Sequence, residues 1–165
     1  MQPTIKTITD KKLTGVSKTM SFAHYTIAEL WQQFMPNRRF IENPVNNNLI
    51  SLVNYSPTHF TKFSLDNTFE RWAAVEVADF QSVPYPFNTF IIPAGVYAVF
   101  HYKGLNTDPA IFQYIYGTWI PESEFALDNR PHFEVLGDKY KNNDPESEEE
   151  IWIPIQLKSR EKESL

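Results

Sequence analysis

The order strand, helix, strand, strand is legible twice along this chain, and that recurrence limits the folds open to it. In residues 13–22, Val16, Lys18, Met20 and Phe22 alternate with Ser17, Thr19 and Ser21, the period of a half-buried strand. Lys18 is the one charge on the apolar parity. Residues 6–10 read as a further short strand ahead of a Lys11-Lys12 turn. Thr26-Ile27-Ala28-Glu29 has the form of a capping box, in which Thr26 accepts from the Glu29 amide and Glu29 reaches back. Ile27, Leu30, Trp31, Phe34 and Met35 then fall on one helical face, and Pro36 predicts the end of the helix near Met35. Strands are expected over 49–55 and 69–78, joined by a polar connection, with extended linker over 81–87.

The second pass begins with residues 89–102, a strand bent at Pro93-Ala94-Gly95. Asp108-Pro109 predicts an N-cap followed by proline in the first turn. Ile111, Phe112, Ile115 and Trp119 make the second helical stripe, closed by Pro121, and residues 132–140 and 150–157 are the last strands. The two units predict an α+β fold: duplicated strand-helix-strand-strand units in one antiparallel sheet, both helices on one face, with a concave seam between them serving as a central ligand groove. The length of 165 residues fits one domain, over residues 1–158, with a charged tail at 159–165.

Aromatic content sharpens this. The chain has 13 Phe, 8 Tyr and 4 Trp. A sheet covered by helices on one side needs large rings on one strand parity only, yet here they fall on both. Tyr97 opposes Phe100 and Tyr102, Trp152 opposes Ile151, Ile153 and Ile155, and Phe133 opposes Glu134. Some rings are therefore expected to line a second surface, either an apolar groove or a self-association face. Glu134, between Phe133 and Val135, points to the face they do not. A carboxylate among aromatic walls would bind cationic ligands through its charge and through cation–π contacts. If buried, its pKa would rise and it could serve as a general acid or base.

Other chemistries are excluded or unsupported. The absence of cysteine removes thiol catalysis, thiolate metal sites and disulfides. A net charge of −5 argues against a nucleic-acid surface. No run approaches the ~20 apolar residues of a membrane span and the N-terminus has no signal-peptide core, so a cytoplasmic protein is expected. His132 and Glu134 form His-x-Glu, half of a zinc-deaminase signature whose other half needs cysteine. No metal, cofactor or catalytic residue is assigned. Five carboxylates in residues 144–150 read as solvated charge on a hairpin tip.

The second half also carries a series of phrases: Ile92-Pro93-Ala94-Gly95-Val96-Tyr97-Ala98-Val99-Phe100, His101-Tyr102-Lys103-Gly104, Trp119-Ile120-Pro121-Glu122-Ser123, Asp128-Asn129-Arg130-Pro131-His132-Phe133-Glu134 and Ser147-Glu148-Glu149-Glu150-Ile151-Trp152-Ile153-Pro154-Ile155. With Ala28-Glu29-Leu30-Trp31, Phe34 and Ala73-Ala74-Val75-Glu76-Val77 in the first half, they resemble the GyrI-like small-molecule-binding domains, the effector-binding domains of bacterial transcription activators, including those of AraC type. The resemblance spans residues 13–157 and rests on the order and spacing of the phrases. It implies two strand-helix-strand-strand units about a pseudo-dyad and a groove for hydrophobic, often cationic, small molecules. It implies Glu134 as the ligand-facing carboxylate, with Trp31, Tyr55, Tyr97 and Trp119 as candidate walls. The groove domain is expected to use almost all of the chain, leaving no room for the helix-turn-helix carried by some relatives. Three functions follow as expectations: a stand-alone module that senses or sequesters hydrophobic, cationic compounds; a hydrolase of small electrophilic, cyclopropane-type compounds using Glu134 as acid/base; or an interaction module, such as a gyrase inhibitor, with a regulator or gyrase as protein partner.

Overall fold

Edge strands lead into each of the two units. The computed structural model describes residues 1–159; most of the expected tail, 160–165, lies outside them. In chain order the strands are β1 (Thr4–Ile8), β2 (Lys11–Ser21), β3 (Leu49–Asn54), β4 (Thr68–Val77), β5 (Asn88–Ile92), β6 (Gly95–Lys103), β7 (Phe125–Leu127), β8 (His132–Leu136) and β9 (Glu148–Leu157). Helix α1 (Ile27–Phe34) precedes β3 and runs into a 3-10 stretch, Met35–Phe40, that holds Pro36. Helix α2 (Ala110–Tyr114) continues through a π turn, Ile115–Trp119, into a last turn, α3 (Ile120–Glu122). Pro121 has no amide to donate back to Gly117, and the helix widens in the residues just before it.

The main sheet is antiparallel throughout, in the order β1-β6-β9-β8-β3-β4-β2-β5, with β7 paired to β9. One unit is β2-α1-β3-β4 and the other β6-α2-β8-β9. They meet where β3 pairs with β8, Ser51 opposite Glu134 and Val53 opposite His132. This is the duplicated α+β architecture expected.

Two local expectations are corrected. Residues 6–10 and 13–22 are not a hairpin about Lys11-Lys12: β1 pairs with β6, while β2 pairs with β4 and β5. Residues 89–102 are likewise not one bent strand but β5 and β6, which lie toward opposite ends of the sheet. The strand leading into each unit thus pairs with the first strand of the other. The two connections are two residues each and meet where the Ala94 amide donates to Asp10 Oδ1 at 2.7 Å. Links that short span only about 10 Å, so the sheet must curl until β2 and β6 approach each other, although four strands separate them in sheet order.

The curl settles where the second set of rings goes. Leu13, Ile50, Leu52, Trp72, Ile92, Tyr97, Val99, Phe133 and Trp152 form one buried cluster inside it, with Ile8 and Phe90 packed against them. The rings on this parity are core, neither groove wall nor association face. The outer, helix-bearing face holds two further clusters. One joins α1 to Val16, Met20, Val53, Phe69, Ala73 and Val75. The other joins α2 and its continuation to Ala98, Phe100, Ile151, Ile153 and Ile155.

The capping box does not form. Thr26 adopts φ −116°, ψ 34° and makes no side-chain cap bond, and its buried hydroxyl has no partner. Glu29 reaches across to Lys18 instead. The charge that broke the apolar parity of β2 is therefore the partner of α1.

Candidate functional site

Between the two outer cores, at the β3–β8 seam, the helix-bearing face turns polar. Read across the sheet, the row through the seam is Phe100, Ile151, Glu134, Ser51, Ala73, Val16. Its flanks are apolar and its centre is a carboxyl opposite a hydroxyl. One step along, His132 lies across from Val53 and Arg71.

Glu134 and Glu149 are diagonal neighbours on this face, close enough that each acts on the ionisation of the other. Glu149 sits on β9 two residues before Ile151, the register partner of Glu134, so both point to the same face. It is only 7% exposed, and this corrects the reading of residues 144–150 as wholly solvated. Of the neighbouring acids, Glu146 pairs with Lys103, and Glu148 with His101 and Lys139. The parity that Glu149 shares with Ile151, Ile153 and Ile155 was the signal for its burial. Arg71, 8% exposed, was equally missed, although it shares parity with Ala73, Val75 and Val77. Its Nη2 donates to Ser51 Oγ at 2.7 Å, while its buried Nε has no protein partner.

Two neighbouring carboxyls on a buried face disfavour double ionisation, so the pair favours holding one proton. Burial raises both pKa values, and the charge of Glu134 carries Glu149 to about 9. Burial also raises Glu134, opposed by the field of Arg71. Glu134 is half-buried and Glu149 buried.

Aromatic groups surround these charges. Tyr55, just past β3, stacks on His59 at 4.2 Å and meets Phe60, Phe69 and His132 edge-on. Burial lifts its phenol to about 12, although Arg71 works against this. Tyr116, in the π turn, hydrogen-bonds His132 Nδ1 at 2.8 Å. Burial, with the fields of Tyr55 and Glu134, holds its phenol well above 10. Tyr140 is raised to about 12 by burial and by the two glutamates. His132 is pushed down to about 3 by burial, then by His59, Arg130 and Arg71. It is neutral near pH 7, with its Nδ1 hydrogen-bonded to the Tyr116 hydroxyl. The connection from β3 to β4 folds over the site, placing Phe60 against Tyr116 and His132. No group of three or more His, Cys, Asp or Glu among the described residues is arranged to hold a metal ion.

Of the five residues expected at the site, Glu134 and Tyr55 come together. Trp31 packs edge-to-face on Phe34 at 5.7 Å, against the α1 core. Tyr97 and Trp119 are corrections. Tyr97 lies inside the curl, fully buried, and its hydroxyl donates to the Pro131 carbonyl at 3.1 Å. Arg130 lies over its ring at 4.6 Å and donates to Asp128, Val96 and Ile155. A Cβ on Gly95, which has φ +154°, would collide with that guanidinium. The Gly95 and Arg130 segments therefore clamp strand ends, and from the second of them His132 and Glu134 reach the helix-bearing face of the seam. Trp119 packs on Phe100 and Phe125 and lines a separate surface cavity of about 470 Å³ beside β1.

The profile of the family described as GyrI-like small molecule binding domain matches residues 1–156. A search of curated proteins returns no match. Among solved structures, a protein from Staphylococcus aureus MU50 described as a "Putative bacterial transcription regulation protein" superposes with a TM-score of 0.68 at 17% identity, over 94% of this chain and 99% of that one. SAV2435 bound to tetraphenylphosphonium gives 0.68 at 18% identity, over 94% of each chain. EcmrR, in its complex with DNA, gives 0.65 at 16% identity, over 94% of this chain and 57% of that one. At these identities the likeness is one of fold. No helix among the described residues is long and apolar enough to cross a membrane.

Proposed function

The chain belongs to the GyrI-like small-molecule-binding domain family, and on that premise we propose that it binds hydrophobic, cationic small molecules at the β3–β8 seam, sensing or sequestering them. The observation that carries this reading is a carboxyl pair, Glu149 buried and Glu134 half-buried, set among Tyr55, Tyr116, Tyr140 and Phe60. Rings offer apolar area and quadrupole faces to a lipophilic cation, and the carboxyls offer charge in a dehydrated setting. A lipophilic cation is also the ligand of one fold neighbour, SAV2435.

The test is a titration with tetraphenylphosphonium followed by tryptophan fluorescence or calorimetry. Glu134→Gln keeps shape and removes charge. It is expected to weaken binding about tenfold or more, a loss of about 1.4 kcal/mol or more. Equal affinity for wild type and variant would remove the carboxylate from the reading.

A second reading, as a hydrolase of strained electrophiles, is favoured by one observation: a carboxyl that holds its proton beside a partner carboxyl can act as general acid. Turnover of such a substrate that survives Glu134→Ala unchanged would exclude it.

A further inference from the structure

We propose that the seam is a cation–proton exchanger: the Glu134–Glu149 pair holds one proton when empty, and a monovalent lipophilic cation displaces that proton on binding. The inference rests on the reading that the seam takes such a cation, and it adds Glu149 as the residue whose ionisation makes binding possible.

The argument is a charge count in a confined space. Arg71 faces the pair from β4, buried, and guanidinium does not lose its proton. With one carboxyl ionised, Arg71 and the pair sum to zero, and the seam offers a cation no net charge. With both ionised the sum is −1, which an incoming monocation neutralises. The two carboxyls sit side by side on one face with Glu149 buried, a placement that disfavours ionising both, so the empty site keeps one proton.

Other groups facing the pair do not change the count near neutral pH. From β3 come Ser51 and, just past its end, Tyr55. From β8 comes His132, from the π turn Tyr116, and from the connection to β9 Tyr140. From β6 comes Tyr102, from the β3–β4 connection His59, and from ahead of α1 Tyr25. Burial lowers both histidines and raises the phenols of Tyr55, Tyr116 and Tyr140, so these five stay uncharged. The proton shared by Glu134 and Glu149 is therefore the charge that yields. A neutral ligand of similar shape has no reason to expel it.

The experiment is calorimetric titration of the full chain with tetraphenylphosphonium, which has no titratable group, at one pH near 7.5 in two buffers of different ionisation enthalpy. The difference in heat gives the number of protons released. About one per cation is expected, with affinity rising about tenfold per pH unit up to about pH 9. The neutral analogue triphenylphosphine oxide is expected to release none. Glu149→Gln should abolish the release and the pH dependence. Should that variant not fold, wild type still decides the matter, because the infrared carbonyl band of a protonated carboxyl must vanish on binding. Binding with no proton released and no change in that band overturns the exchange alone. Release that persists unchanged in both Glu149→Gln and Glu134→Gln also overturns it. Absence of any binding overturns the exchange and the cation reading together.

Discussion

Two rows of side chains cross this sheet one residue apart. On the inner side of the curl the row is Val99, Trp152, Phe133, Leu52, Trp72 and Ser17. On the helix-bearing side it is Phe100, Ile151, Glu134, Ser51, Ala73 and Val16. The inner row carries its largest rings through the pseudo-dyad: Phe133 and Trp152 stack at 5.1 Å, and Tyr97 meets both. The outer row puts its apolar residues on the flanks, under the helices, and leaves the dyad to a carboxyl and a hydroxyl. Phe133 and Glu134 are neighbours in the chain, but one is placed to hold the fold and the other carries the proposed ligand contact. Because successive strand residues point to opposite faces, the sheet separates these duties without needing separate segments.

The sharpest way to break the contrast is to truncate both neighbours. Phe133→Ala removes a buried ring from the inner cluster and is expected to cost about 3–5 kcal/mol, a fall in melting temperature on the order of 10 °C. Glu134→Gln removes one of two adjacent carboxyls and leaves Glu149 to balance Arg71, so it should leave the melting temperature unchanged or raise it. Thermal denaturation followed by circular dichroism distinguishes them. Equal destabilisation would mean that Glu134 is structural and the contrast false.

The pH dependence of stability reads the outer row directly. Folded Glu149 keeps its proton up to about pH 9, whereas an ordinary glutamate releases it at 4.5. Between those values the folded state binds more protons than the unfolded chain, so raising the pH destabilises it. His132 acts in the opposite sense. Its folded value is about 3 against an ordinary 6.5, so in that window the unfolded chain binds more protons and stability rises with pH. The opposing slopes leave a shallow stretch from about 4.5 to 6.5, within which burial of Glu134 adds to the downward side. Above 6.5 the histidine no longer contributes, and stability should fall by about 1.4 kcal/mol per pH unit toward 9. Urea midpoints across this range measure it. Glu149→Gln should flatten the upper limb, and a wild type equally stable at both ends of that limb would show that the pair holds no extra proton.

How much of this was legible in the sequence differs between the rows. Alternation in β2, β4 and β9, and the stripes of both helices, follow from local periodicity, and with them the duplicated architecture. That Glu134 opposes Phe133 is also a matter of parity. What local pattern could not supply is the exchange of β1 and β5 between the units, because each looks like a hairpin arm to its nearest neighbour. Without that exchange the curl is invisible, and the inner rings look like surplus in search of a groove. Tyr97 was misplaced for this reason. Glu149 was missed for another: a run of five carboxylates reads as solvent-facing, although Ile151, Ile153 and Ile155 on the same parity mark it as buried. Trp119 was misplaced because a helical stripe reports burial and not which cavity lies beside it.

The smallest effect offers the finest discrimination. Tyr97→Phe keeps the ring between Phe133 and Trp152 and deletes only the hydroxyl that donates to the Pro131 carbonyl. A net hydrogen bond of this kind is worth about 1 kcal/mol, and the buried carbonyl left behind adds to the cost. A loss of about 1 kcal/mol in a denaturant titration is expected, with affinity for tetraphenylphosphonium unchanged. Tyr55→Phe is the matched variant on the other face: it deletes a phenol beside the carboxyl pair and should change affinity more than stability. If Tyr97→Phe were the one to weaken binding, the clamp formed by Arg130, Pro131 and Gly95 would be transmitting its geometry through β8 to Glu134. The two rows would then be mechanically coupled across the single peptide unit that separates Phe133 from Glu134.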